Sequence, residues 1–180
     1  MNITLTPSLS AGDPSKIDAE KMTKRVKDGI ESAWNGKWKP GCGCDVKFSA
    51  NVKFVSLDKR RRDKGKGRID YEWPRDDNVI FVVDQDARDN VWWGMDHGVW
   101  SQRSEDWVYA HEAGHLMGLQ DEYRDKDGKS VAFPGREGHI MAEYNGLTTQ
   151  DEINAIIGDR CPTSCKNQTR PSQSQPGKGK

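Results

Sequence analysis

Apolar residues recur at Ile17, Met22, Val26, Ile30, Ala33 and Trp34, close to the spacing of one helix face. Asp13 before Pro14 reads as an N-cap with proline in the first turn, and Asn35-Gly36 as a stop. An amphipathic helix is therefore predicted over 14–34. The period then changes to two. Val46, Phe48, Ala50, Val52 and Phe54 alternate with polar residues, predicting a half-buried strand over 46–57. Ile69, Tyr71 and Trp73 alternate again before Pro74, predicting a strand over 68–73. Val79 to Val83 is an unbroken β-branched and aromatic run, the pattern of a strand covered on both faces, predicted over 78–84. Residues 1–12 read as a polar lead with a short strand around Ile3 to Leu5. Thr149 and Glu152 form a capping box for a last helix that carries Ile153, Ile156 and Ile157 to Gly158. The order predicts an α+β domain, with helices on one face of a twisted, mostly parallel sheet.

One stretch carries chemistry. Residues 111–121 read His-Glu-Ala-Gly-His-Leu-Met-Gly-Leu-Gln-Asp. Residues four apart share a helix face, so His111 and His115 can present two imidazoles to one metal ion, with Glu112 beside them as a base. Two imidazoles and a carboxylate suit zinc, and a catalytic site keeps a further position open. Gly118 is placed to end the helix with φ > 0 and turn the chain back, so that Asp121 arrives as the third ligand. Farther on, Met141 lies in a turn-like setting between polar loops, with His139 and Glu143 flanking it as the other candidates for that ligand position.

This pattern resembles the metzincin zinc metallopeptidases, whose motif joins the helix, the glycine turn and a later methionine turn. The resemblance covers residues 111 to 144. The third ligand in that clan is usually histidine; here it is Asp121, as in aspartate-ligand members such as snapalysin. The resemblance implies a metzincin-like mixed sheet with a backing helix, an active-site helix and a C-terminal helix. It also implies a zinc endopeptidase with His111, His115 and Asp121 on the metal, Glu112 as general base and Met141 as a floor beneath. Tyr144, or else Tyr123, is the phenol implied for transition-state charge, although Tyr144 stands three residues after Met141 where relatives have two. Asp121-Glu122-Tyr123 closes the motif in a way similar to metallopeptidase toxin domains at the C-termini of Rhs-type polymorphic toxins. That likeness implies delivery into target cells as part of a larger exported chain, a protein or peptide substrate, and an immunity protein as partner.

Composition changes this picture little. The 180 residues carry 28 basic and 28 acidic side chains, so bulk charge selects no acidic or basic partner. No run is long enough to span a membrane, and the N-terminus has no apolar signal region. Residues 59–68 hold seven basic residues and one acidic. Without interleaved aromatics they read as a solvated hairpin loop rather than a nucleic-acid surface. Cys42 and Cys44 form one close pair and Cys161 and Cys165 another, so bridges between the pairs are expected. Asp84, Asp86 and Asp89, and Asp125 and Asp127 before Gly128, fall short of a calcium loop and read as turns. Val91 to Ser101 is rich in tryptophan and glycine, either a cleft wall or core beneath a loop. Ser104 is the expected cap of the motif helix. A domain over 1–165 is predicted, with a disordered polar tail over 166–180.

Overall fold

The computed structural model describes residues 1–8, 11–40, 43–56, 77–92 and 96–158, together with the backbone of 61–63 and 69–71. In chain order the strands are β1 (Asn2–Pro7), β2 (Asn51–Phe54), β3 (Arg61–Asp63), β4 (Ile69–Tyr71), β5 (Asn78–Val83), β6 (Asn90–Val91), β7 (His97–Ser101), β8 (Tyr123–Lys126) and β9 (Lys129–Ala132). The helices are α1 (Ala19–Trp34), α2 (Asp106–Leu116) and α3 (Gln150–Ile157). The fold is α+β. Its main sheet runs β2-β1-β5-β7-β6, parallel except for β6 against β7. The apolar run at 79–83 thus becomes the middle strand, as its composition predicts.

Register shows which face meets the helices. Leu5 lies opposite Phe54 and Ile80, and Val82 opposite Trp100. Opposite residues in paired strands project to the same face, and these side chains join one core with Met22, Val26, Ile30 and Trp34 of α1 and Tyr109, Ala110 and Ala113 of α2. Burying each large member contributes roughly 1.5–3 kcal/mol. The first strand is more central than a polar lead suggests. Ile3 and Leu5 are fully buried, and so are Thr4 and Thr6 on the other face. Their hydroxyls donate to Asp77 Oδ2 at 2.6 Å and to the Val55 carbonyl at 2.9 Å, which offsets the cost of burying them.

Two boundaries differ from the sequence reading because side chains capture backbone groups. Asp13 caps only a 3₁₀ turn, Pro14–Lys16, and α1 begins at Ala19, where the Asp18 side chain accepts from the Lys21 amide. Two successive aspartate caps divide what reads as one helix. The predicted strand over 46–57 keeps its alternating burial, yet its ladder spans only 51–54. Before that, α1 supplies the partners. Asn35 Oδ1 accepts from the Phe48 amide and Asn35 Nδ2 donates to its carbonyl, both at 2.9 Å, while Glu31 Oε1 accepts from the Ala50 amide at 3.0 Å.

The basic stretch itself contributes a strand, since β3 pairs antiparallel with β4 outside the main sheet. The predicted strand over 68–73 is described only at 69–71; residues 59, 60, 64–68 and 72–76 lie outside the described residues. So do Cys42, Cys161, Cys165 and the tail 166–180. Cys44 is disulfide-bonded, and its partner lies outside the described residues. A second hairpin, β8 and β9, turns at Asp127 and Gly128 with φ of 53° and 74°. Asp-Gly between short strands is a strong hairpin signal, and it replaces the polar loop expected there. Among the described residues no helix is long and apolar enough to cross a membrane.

Candidate metal centre

Helix α2 is buried along most of its length, with Tyr109 through Gly114 all inside. Its start differs from expectation. Glu105, not Ser104, stands at the N-cap, and its side chain makes no capping bond to the helix. Arg25 of α1 secures this entry, donating to the carbonyls of Gln102 and Ser104 and to Asp106 Oδ1. The far end closes as the sequence predicts. Gly118 takes φ 98°, its amide donates to the His115 carbonyl at 2.9 Å, and the Leu119 amide donates to the Gly114 carbonyl at 3.0 Å. That pair of bonds is a Schellman stop, and it sends the chain back past the helix end.

The reversal brings Asp121 to the two histidines. His111 Nδ1 donates to the Ile140 carbonyl at 2.8 Å and His115 Nδ1 to the Leu119 carbonyl at 3.0 Å. A carbonyl only accepts, so each ring holds its proton on Nδ1 and offers the Nε2 lone pair outward. Both Nε2 atoms face Asp121 Oδ1, at 3.2 and 3.3 Å. These separations are long for hydrogen bonds. Two ligands at zinc distances and a tetrahedral angle lie about 3.3 Å apart, so the spacing fits a shared ion. Among the described residues these three form one of two donor groups able to hold a metal. Burial raises the Asp121 carboxyl, but without a metal the two imidazoles in their protonated, cationic form outweigh it and hold the group well below the ordinary carboxylate range. Burial lowers His115, and Asp121, the Leu119 carbonyl and Glu112 together reverse that and raise it.

Glu112 is buried beside this trio, and its Oε2 has no hydrogen-bond partner. An ionisable oxygen left bare inside a protein is costly unless something outside the chain engages it. Burial pushes this carboxyl up to about 7, against the pull of His111 and His115.

Met141 is fully buried under α2; a Cβ on Gly114 would fall 2.5 Å from its Sδ. The glycine inside the motif therefore admits the methionine beneath the helix. His139, an alternative third ligand by sequence, instead places Nδ1 3.0 Å from Glu122 Oε2. With Glu122 and Glu152 it forms the second donor group, whose carboxylates already serve Arg136, the Thr149 cap and the Met141 amide. Glu143 is exposed on the cleft wall. Tyr144 is also on that wall, 66% exposed, its hydroxyl donating to Glu105 Oε2 at 2.7 Å and its ring 4.9 Å from that of Trp107.

The donor group opens to two cavities of about 780 and 500 Å³ that share Arg88, Asp89, His111, Glu112 and Tyr123 as walls. They are two arms of one cleft meeting at the motif. Leu116, Leu119 and Trp92 line the first, and Trp107, Val108 and Ala142 the second. The tryptophan-rich segment therefore divides, with Trp92 on the cleft and Trp100 in the core. His97 is in β7, paired with Asp96, and is not among the candidate ligands. Sequence reading missed Arg88, Asp89 and Trp107. Asp89 is buried with Oδ1 accepting from the Ser101 amide and Oδ2 bare, and burial pushes it up to about 6. Its turn position carried no signal of that. No family model and no curated protein matches this chain.

Proposed function

We propose that the protein is a zinc-dependent endopeptidase of metzincin type. The observation that carries this reading is the meeting of His111 Nε2, His115 Nε2 and Asp121 Oδ1 beside the bare oxygen of buried Glu112, at the junction of an open cleft. The three ligands would hold zinc, which supplies Lewis acidity and makes water acidic enough to ionise near neutrality. The chain's own groups do the rest. Glu112 takes a proton from the attacking water and passes it to the leaving amine. The carbonyls of Ile140 and Leu119 keep both imidazoles in the tautomer that leaves Nε2 free. The apolar and aromatic side chains of the two arms hold an extended peptide across the motif. Tyr123, partly buried with its ring 6.5 Å from that of His111, is better sited for developing charge than Tyr144, which is engaged with Glu105.

The likeness at Asp121-Glu122-Tyr123 supports a further step, a toxin domain delivered into target cells by a larger chain and countered by an immunity protein. A non-catalytic zinc-stabilised module has no use for a buried, unpartnered glutamate beside the ligands.

The test is Glu112→Gln, which keeps the shape and removes the base. Metal content by elemental analysis should stay at one zinc per chain. Cleavage of an unbiased peptide library should fall by roughly 10²–10⁴-fold. Undiminished cleavage, or undiminished killing of an expressing host, rejects the mechanism and directs attention to the basic stretch at 59–68.

A further inference from the structure

Arg88 has no role in the chemistry above, yet it lines both arms of the cleft where they meet. Arg25, Arg103 and Arg136 each lie against a carboxylate. Among the described residues Arg88 forms no ion pair, although the Asp121 and Asp125 carboxylates act on it through space; its one direct polar contact is Nη2 to the Tyr123 hydroxyl at 3.4 Å. Tyr123 follows the ligand Asp121 by two residues, and its ring faces His111. The guanidinium thus lies beside Tyr123 on the side of the cleft nearest the donor group while staying exposed. It has five N–H donors in a planar fork, and one contact to a phenol leaves the rest free. A fork of that shape matches a carboxylate, which accepts two parallel charge-assisted bonds.

We propose that Arg88 selects substrates by binding a carboxylate close to the scissile bond. The inference rests on the peptidase reading and names its substrate class, peptides with a negative group beside the cleavage point. Two sources share this chemistry. An acidic side chain would make the enzyme an endopeptidase cutting next to Asp or Glu. A free C-terminus would make it cut near chain ends. The walls around Arg88 are mixed: Trp92, Leu116 and Leu119 stand with Asn90, Asp96 and Gln120 in the first arm, and Trp107, Val108 and Ala142 with Ser130 and Glu143 in the second, so Arg88 is the cationic side chain they share.

The experiment uses zinc-loaded protein carrying Glu112→Gln, immobilised so that peptides bind without turnover. Two hexapeptide mixtures are passed over it, one acetylated and amidated, the other acetylated with a free C-terminus. Retained peptides are read by mass spectrometry. If acidic side chains are the ligand, Glu and Asp peptides of the capped mixture should be retained about tenfold or more over their Gln and Asn counterparts. If the C-terminus is the ligand, the free-acid mixture should be retained over the amidated one by a similar factor. Either preference should vanish in Arg88→Gln, survive in part in Arg88→Lys, and turn toward basic peptides in Arg88→Glu. Arg88 is exposed, so these variants should keep the parent's zinc content and melting temperature. A preference that persists in Arg88→Gln belongs to the metal centre and overturns the proposal, as does no preference at all. The peptidase reading fails separately: it falls if wild-type protein cleaves no library peptide in a Glu112-dependent way, whatever Arg88 retains.

Discussion

Asp121 is the residue on which the site turns, because one of its oxygens faces both histidine Nε2 atoms. His139 and Glu143, which flank Met141, are set elsewhere, His139 by Glu122 and Glu143 by exposure on the wall. Asp121→Ala should therefore weaken zinc binding by more than the roughly 10–100-fold that loss of an outer-shell partner brings. His139→Ala and Glu143→Ala should stay within that range or below it. Competition against a chelating dye measures all three. Unchanged affinity in Asp121→Ala transfers the third position to another group. Glu112 makes the complementary point at this scale. Its place beside the two histidines is readable from spacing, whereas its bare Oε2 depends on what α2 packs against.

At the scale of elements, the site is built by the end of α2 rather than by its middle. The helix places His111 and His115 one turn apart on one face, and the Schellman stop at Gly118 returns the chain so that Asp121 meets them. A Cβ on Gly118 would meet nothing within 4 Å, so the only obstacle to a side chain there is φ 98°. Gly118→Ala should then cost roughly 1–2 kcal/mol in urea unfolding. It should weaken zinc binding as well, because the turn carries Asp121. Gly118→Asn, which tolerates positive φ better, should recover part of both losses. A Gly118→Ala protein with parental stability and zinc affinity would mean the turn is not what positions the ligand. The α3 capping box works at this scale too. Glu152 both closes the box with Thr149 and accepts from the Met141 amide, so one side chain ties the last helix to the methionine packed beneath α2.

At the scale of the molecule, α1 and α2 pack on each other, and Gly29 permits their close approach: a Cβ there would fall 2.6 Å from the Asp106 carbonyl oxygen. The disulfide at Cys44 ties down the stretch between α1 and β2. Pairing with Cys161 or Cys165 is expected, since a bridge to Cys42 would close a strained loop of three residues. Closing a loop of more than a hundred residues stabilises by roughly 4–5 kcal/mol in the chain-entropy model. Mass spectrometry of unreduced peptides should find Cys44 joined to one of those two. Reduction should lower the urea midpoint accordingly. A Cys44–Cys42 peptide would refute the pairing, and an unchanged midpoint would refute the stabilisation.

The sequence by itself determined the middle strand, the α1 stripe, the capping box at Thr149 and the candidate donor group at 111–121. Each rests on forces acting within a few residues: hydrophobic periodicity, cap chemistry, helix spacing and the freedom of a glycine. Tertiary structure decided what depends on distant partners. β1 reads as a weak polar lead because threonine hydroxyls look exposed until Asp77 and the Val55 carbonyl receive them. The 46–57 strand loses its first half because Asn35 and Glu31 of α1 take its backbone groups. The cleft follows the same rule. Histidine spacing is local, but the Ile140 carbonyl that sets one tautomer lies 29 residues from His111, and Arg88 meets Tyr123 from 35 residues away. No periodicity encodes such meetings, because they arise only when the sheet and α2 bring separate loops to one edge.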